Sequence, residues 1–308
     1  MDILQAKEKI ERLKREKNAV ILAHYYAPPD VQDVADFLGD SLGLSQLAAS
    51  SEADVIVFGG VHFMAETAAI LCPDKTVLSP APDAGCSLAD SIDAARLAAW
   101  KARHPDGIVV SYVNTTAEVK ALTDWCCTSA NAVKVVESLP ESRPVLFGPD
   151  KHLGSHIMQV TGRKMELWDG VCTVHDEISS MMIHEALKRW PDADILIHPE
   201  AACSDDKELI GNERVVFAST AGMLKHAAAS PKKTFVIATE ADTMHQLEKE
   251  NPGKVFLPVS PGIYCREMKK VSLENIIESL ETGKGKVVLD ENIRTKALLP
   301  IRRMMEIK

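Results

Sequence analysis

A pattern of about 90 residues occurs three times along this chain, and no other sequence feature limits the possible folds so strongly. Each copy opens with an apolar run that ends in polar residues and leads into a helix start. A hydroxyl-containing motif follows, and each copy closes with an apolar run that is led by lysine and ends at a cysteine. Any chain of alternating strands and helices has some regular spacing, but three kinds of feature in the same register indicate an internal repeat.

The repeat places chemically similar residues at matching positions. The first runs end in His24 and Tyr26, in Tyr112 and Asn114, and in His198 and Glu200. The hydroxyl motifs contain Ser41, Ser129, and the pair Ser219 and Thr220. The closing runs end at Cys86, Cys172 and Cys265.

The apolar runs predict an α/β protein. Short buried strands are expected at residues 19–23, 54–59, 76–78, 107–110, 145–148, 194–197, 215–218, 234–238 and 254–257. Helical patterns lie between most of them, which favours parallel sheets with helices on their faces. The copies predict segments 1–88, 89–174 and 175–308, the last with a C-terminal helical tail. Ligands of such sheets bind at the carboxyl ends of strands, so packing around a pseudo-threefold axis would bring the three cysteines together.

Composition and charge narrow the class of function. The formal net charge is -9, and no broad basic surface is expected, which disfavours a nucleic-acid binder. The charged N-terminus lacks the apolar stretch of a secretory signal, and no apolar run is long enough to span a membrane. We therefore expect a cytoplasmic enzyme of small-molecule chemistry. Its 7 cysteines cannot all pair, and a reducing compartment disfavours disulfides.

Three thiolates suit zinc or an iron–sulfur cluster. Structural zinc sites usually contain close C-x₂₋₄-C pairs, whereas these cysteines are separated by about 90 residues. A cluster with three protein thiolates leaves one iron open as a Lewis acid. Two alternatives stay open: a zinc- or cluster-dependent hydro-lyase or aldolase acting on another phosphorylated metabolite, and a non-catalytic sensor of such a metabolite.

Other residues are weaker candidates for the site. His175 follows Cys172 by three positions, so it is expected near the cluster. Cys203 is the main rival ligand, but it begins a helix instead of ending a lysine-led strand, which favours burial. Cys126 and Cys127 lie outside the repeated position and are interpreted as packing residues. Each hydroxyl motif alone would be read as a helix N-cap; three in register favour anion binding.

The residues above, together with several short motifs, resemble the quinolinate synthase family over nearly the whole chain. The motifs are Ile-Leu-Ala-His24-Tyr-Tyr26, Asp36-Phe-Leu-Gly-Asp-Ser41, Phe63-Met-Ala-Glu-Thr67, Tyr112-Val-Asn114, Thr128-Ser-Ala-Asn131, Phe147-Gly-Pro-Asp150, His198-Pro-Glu200 and Ser219-Thr220. None is specific alone, but together they are.

The resemblance implies three similar α/β/α domains around a 4Fe–4S cluster with one open iron. The implied ligands are Cys86, Cys172 and Cys265. The implied reaction condenses iminoaspartate with dihydroxyacetone phosphate to quinolinate in NAD biosynthesis, with the iminoaspartate supplied by L-aspartate oxidase or aspartate dehydrogenase. The expected catalytic residues are Tyr26, Glu200, His198 and His175. The expected substrate-binding residues are His24, Ser41, Tyr112, Asn114, Ser129, Ser219 and Thr220.

Overall fold

The computed structural model describes residues 2–307, and the predicted α/β class is confirmed. Twelve strands within this range form three four-stranded sheets, in which all neighbouring strands are parallel. The first strand of each sheet is almost fully buried, as expected for parallel sheets covered on both faces. Of the helices in this range, none combines the length and apolar character needed to span a bilayer.

The three sheets have the same topology. In each, the second strand of the repeat lies at one edge and is followed in space by the first, third and fourth strands. The strands are β1 (Ala19–His24), β2 (Phe37–Gly39), β3 (Val55–Gly59), β4 (Thr76–Leu78), β5 (Ile108–Tyr112), β6 (Trp125–Cys127), β7 (Val145–Gly148), β8 (Glu166–Leu167), β9 (Asp194–Ile197), β10 (Val215–Phe217), β11 (Thr234–Ala238) and β12 (Val255–Pro258).

Helices connect the strands and cover the sheets. They are α1 (Ile3–Lys17), α2 (Pro29–Gln32), α3 (Ser41–Ser50), α4 (His62–Leu71), α5 (Ser87–Asp90), α6 (Ala94–Arg103), α7 (Ala117–Lys120), α8 (Ala132–Glu137), α9 (Lys151–Thr161), α10 (Ser180–Arg189), α11 (Lys207–Ile210), α12 (Thr220–Ala229), α13 (Thr243–Glu250), α14 (Leu273–Thr282) and α15 (Glu291–Glu306). Several begin where a side chain caps the first turn, as Asp40 does for α3 and Ser219 for α12.

The lysine that leads each fourth strand has a structural role in two copies. The Lys75 ammonium donates to the carbonyls of Ser51 and Ala53 after helix α3, and Lys254 donates to Ala227 and Ser230 at the end of α12. In the second copy Arg163, which precedes the leading Lys164, has this role and donates to carbonyls after α8. A cation at a helix C-terminus satisfies carbonyls that have no partner within the helix.

The C-terminal tail does not pack on the third sheet, which precedes it in sequence. Helix α14 packs against α1 and β3, and helix α15 packs against α4, α7 and β6. The strands of each sheet all come from one of the segments 1–88, 89–174 and 175–308. The boundaries between these segments stay a prediction.

Candidate active site

A cavity of about 610 Å³ lies where the three repeats meet. Thirteen of the fourteen predicted site residues line it: His24, Tyr26, Ser41, Cys86, Tyr112, Asn114, Ser129, Cys172, His175, His198, Glu200, Thr220 and Cys265. The parallel topology explains this convergence, because the carboxyl ends of β1, β5 and β9 all point to the cavity. The three copies thus contribute equivalent strand ends to one site.

Ser219 is the predicted site residue that does not line the cavity. Its hydroxyl oxygen accepts a hydrogen bond from the Gly222 amide at 3.2 Å, which caps helix α12. The same hydroxyl donates to the Asp40 carboxylate at 3.1 Å. Asp40 itself lines the cavity and caps helix α3, so Ser219 reaches the site through Asp40.

The three cysteines of the repeat are free thiols at the cavity wall. Burial raises the pKa of Cys86 to about 12, and the neighbouring Cys265 raises that pKa further. Burial also raises the pKa of Cys172 well above its usual value, with Glu200 and Cys86 adding to the shift. Thiols that disfavour each other's ionised forms are a suitable donor set for a positively charged metal centre.

A carboxylate holds the backbone of each cysteine loop, and two of the three carboxylates, Asp150 and Glu240, are buried. The Cys172 amide donates to Asp150 at 3.1 Å, and the Cys265 amide donates to Glu240 at 3.2 Å. For the first loop the amide of Gly85 donates to Glu267 at 2.8 Å, so this carboxylate comes from the third repeat. These three hydrogen bonds hold the backbone of the loops that carry the cysteines.

A hydrogen-bonded network joins the predicted catalytic residues. The Tyr26 hydroxyl lies 2.7 Å from the Thr239 hydroxyl, 3.0 Å from that of Thr220 and 3.4 Å from His175 Nε2. His175 Nδ1 lies 2.9 Å from Glu200 Oε2, and His175 Nε2 lies 2.8 Å from the Thr239 hydroxyl. Since a carboxylate only accepts, His175 donates from Nδ1 and accepts at Nε2 when its ring is neutral. The chain Tyr26–His175–Glu200 can therefore move a proton.

The surroundings of this network set its charges. Burial alone would raise the pKa of Glu200, but His198, His175 and the hydrogen bonds from His175 and Tyr112 lower it to about 2. Burial lowers the pKa of His24 and that of His198 to about 3. Burial, together with the Glu200 charge, raises the pKa of Tyr26 well above its usual value. At neutral pH Glu200 is therefore ionised, His24 and His198 are neutral, and Tyr26 is protonated.

One cluster of possible metal ligands adjoins the network. Single ligand atoms of Cys172, His175 and Glu200 lie within 4.8 Å of one another, and among residues 2–307 this is the one group of three or more His, Cys, Asp or Glu side chains with that geometry.

The other cysteines considered as candidates lie away from the cavity wall. Cys203 is 1% exposed in a core of the third repeat, and Cys126 and Cys127 are buried in the core of the first two.

Sequence reasoning missed several residues of the site. Thr239 follows strand β11 and contacts both Tyr26 and His175. Asp150 and Glu240 occupy the matching position two residues after β7 and β11, where they hold the cysteine loops. The sequence signal that could have found them is a polar residue just after the third strand of the second and third copies. Ligands bind at the carboxyl ends of the strands of such a sheet.

Comparisons with known proteins agree with the geometry. The sequence profile of the family described as "Quinolinate synthetase A protein" matches residues 8–306. A quinolinate synthase of Pyrobaculum aerophilum is 52% identical over 303 residues, which cover 97% of this chain and 99% of that protein. A quinolinate synthase of Thermus thermophilus is 50% identical over 300 residues, covering 97% and 96%. One from Gloeothece citriformis is 48% identical over 303 residues, covering 96% and 92%.

Proposed function

Because the chain belongs to the quinolinate synthase family, we propose that it condenses iminoaspartate with dihydroxyacetone phosphate to give quinolinate, phosphate and water. It is an enzyme of NAD biosynthesis. Iminoaspartate would come from a separate enzyme, L-aspartate oxidase or aspartate dehydrogenase. The cytoplasmic location expected from the sequence is part of this proposal.

One observation carries the proposal: each of the three repeats contributes one free cysteine to the wall of the same cavity. One repeat length separates Cys86 from Cys172 and Cys172 from Cys265. A metal centre bound by all three cysteines would therefore join the three repeats. Their soft sulfur donors fit a 4Fe–4S cluster, for which they would be the protein ligands. When bound, such a cluster supplies one iron open to a substrate oxygen, where it acts as a Lewis acid.

The chain's own residues would carry the proton transfers. Glu200 is a buried carboxylate that lines the cavity, where it is placed to accept a proton from a substrate carbon or nitrogen. Tyr26 is a protonated phenol and is suited to donate one to a departing oxygen. His175 lies between them and can pass the proton from one side of the network to the other. This arrangement matches a reaction made of tautomerisations and dehydrations.

The neutral polar groups of the cavity would bind the anionic ends of the substrates. Ser41 and Thr220 begin helices α3 and α12, where backbone amides and the helix dipole favour phosphate or carboxylate. Ser129 lies 3.3 Å from His198 Nε2, which joins the second and third repeats at the cavity. The buried Asn114 Oδ1 has no hydrogen-bond partner among the described residues, so it is available to a substrate donor. His24 and Tyr112 complete the proposed set.

The first test is elemental. Protein purified without oxygen should contain roughly four iron and four sulfide per chain, show a brown colour that bleaches in air, and form quinolinate from the two substrates. Zinc alone after anaerobic reconstitution would contradict the cluster and favour a zinc-dependent enzyme.

A matched pair of variants tests the ligand assignment. Cys86→Ala should abolish cluster assembly, because one of three ligands is lost. Cys203→Ala removes an equally small thiol that lies in a separate core, and its iron content should equal that of the wild type. The reverse pattern would overturn the assignment.

A further inference from the structure

Lys269 has a place in the site that the roles above do not explain. Its ammonium donates to three acceptors: the Tyr26 carbonyl at 2.8 Å, Glu240 Oε1 at 2.5 Å and Asp242 Oδ2 at 2.6 Å. A lysine has three N–H donors, so all of them are used. The side chain is 26% exposed, whereas that of Glu240 is fully buried. Lys269 therefore joins the third repeat to the backbone of a predicted catalytic residue in the first.

The backbone around Tyr26 is held at three consecutive carbonyls. The buried Gln32 amide donates to the Tyr25 and Ala27 carbonyls at 2.9 and 2.8 Å, and Lys269 donates to the Tyr26 carbonyl between them. Gln32 also donates to the Asp242 carbonyl at 3.1 Å, so both side chains reach Asp242. Such a cradle leaves this short segment little freedom to shift.

Two of the cysteine loops are held by a carboxylate that follows the third strand of their own sheet, and these two carboxylates differ in one respect. Asp150 and Glu240 each accept from a cysteine amide, but only Glu240 is paired with a cation. Burial raises the pKa of Asp150 well above its usual value, so protonation neutralises this carboxyl without a cation. Glu240 is instead held by the Lys269 ammonium. The extra partner of Glu240 is the lysine that continues to Tyr26, which indicates a role in the alignment of that residue.

We propose that Lys269 is a positioning residue, which fixes the Tyr26 segment relative to the Cys265 loop through the Tyr26 carbonyl and Glu240. The inference deepens the proposed function, since it assumes that Tyr26 transfers a proton. Loss of the donor would allow the Tyr26 backbone to shift, and the phenol would move away from its partners. A misplacement of about 1 Å can lower a rate about 100-fold.

The test compares two lysines that cross the same boundary between the first and third repeats. Lys269→Met removes the donor to Tyr26. Lys249→Met is the control, because Lys249 binds Asp33 at the exposed part of this boundary. Lys269→Met should lower kcat about 10- to 100-fold with KM within about threefold, and iron per chain should equal the wild-type value. Lys249→Met should keep both kinetic constants.

A second readout does not depend on turnover. Hydrogen–deuterium exchange of the peptide containing Tyr26 should be faster in Lys269→Met and unchanged in Lys249→Met. Because exchange reports on the backbone, a preparation without synthase activity would count against the proposed function and would leave this test intact.

A double variant guards against a simple charge effect. Lys269→Met alone leaves the Glu240 carboxylate buried without its cation, which can destabilise the chain. Glu240→Gln with Lys269→Met removes both charges and keeps an acceptor for the Cys265 amide. The loss of kcat and the faster exchange should persist in this double variant. Recovery of wild-type kcat there, unchanged exchange in Lys269→Met, or equal effects in Lys249→Met would each overturn the proposal.

Discussion

The first two sheets share an apolar core, whereas the third sheet meets them at the cavity through polar side chains. One continuous cluster of buried apolar residues includes Val57 of β3, Phe147 of β7 and Ile301 of α15. The buried apolar residues of strands β9–β12 lie in two other clusters, one on each face of the third sheet. We call these two contact regions the apolar boundary and the polar boundary.

The polar boundary contains the catalytic network and an exposed ion cluster. Tyr26 crosses it to the hydroxyls of Thr220 and Thr239 inside the cavity. Farther out, the Asp33 carboxylate accepts hydrogen bonds from His245 at 3.1 Å and Lys249 at 3.0 Å. Both sets of contacts join the same two repeats, but the first is buried and the second is partly open to water.

The difference separates stability from chemistry. The stabilisation gained by burying apolar surface is proportional to the area removed from water and depends little on the direction of the contacts. The apolar boundary can therefore hold the first two repeats together without setting the geometry of the active site. Hydrogen bonds are directional and can be exchanged with water or substrate. The polar boundary is therefore suited to set the geometry of the site, and the two boundaries should respond differently to mutation.

The largest expected effect is on turnover, at the buried part of the polar boundary. Tyr26→Phe removes the hydroxyl that crosses this boundary, so the rate of quinolinate formation should fall about 100- to 10,000-fold. Iron per chain should equal that of the wild type, because no predicted cluster ligand changes. Tyr25→Phe is the matched control, since Tyr25 packs against the core of the third repeat instead of lining the cavity. Full activity in Tyr26→Phe would remove Tyr26 from the mechanism.

The next effect is on stability, at the apolar boundary. Ile301 is fully buried in helix α15, and Ile301→Ala should lower the free energy of unfolding by about 2–5 kcal/mol. Leu299 on the same helix is 53% exposed, and Leu299→Ala should change the free energy of unfolding by less than about 0.5 kcal/mol. Urea unfolding of both variants measures the difference. Equal effects would mean that α15 does not join the repeats through its buried face.

Much of the fold was predictable because strand burial produces continuous apolar runs. Strands β7, β9 and β11 have the same bounds in the sequence prediction and in the structure. Strand β8 was indicated only by the lysine-led closing run of the second copy, and strands β2 and β6 were missed. Each of the two missed strands has only three residues and lies at a sheet edge. Phe37 of β2 is 43% exposed, whereas Cys126 and Cys127 of β6 are buried, so short length is the reason that both strands share for giving no clear apolar run.

The site was predictable only where the repeat preserved its chemistry. First-strand ends and closing cysteines are polar or sulfur-bearing in all three copies. Third-strand ends are not, since Gly60 and Val61 of the first copy match Pro149 and Asp150 of the second and Thr239 and Glu240 of the third. Superposition of the copies therefore gave no signal for Thr239. The apolar Val61 side chain also offers no acceptor to the first cysteine loop, which is held by Glu267 of the third repeat instead.

The smallest expected effect is at the exposed part of the polar boundary. Partial burial would raise the pKa of Asp33, but hydrogen bonds from His245, Lys249 and Lys7 lower it well below its usual value. A carboxylate with a lowered folded-state pKa stabilises the fold fully above its unfolded pKa of about 3.9. That stabilisation is lost as the pH falls from the unfolded-state pKa through the folded-state pKa of Asp33. The exposed partners limit it to less than about 1 kcal/mol.

Asp33→Asn should therefore lower the urea midpoint slightly at pH 7, and the difference from the wild type should shrink below about pH 4 and in high salt. Quinolinate formation should be unchanged at pH 7, because Asp33 does not line the cavity. A large loss of turnover in Asp33→Asn would mean that the exposed ions also set the site geometry. The contrast between the buried and exposed parts of the polar boundary would then fail, because both would act on the chemistry through the relative placement of the first and third repeats.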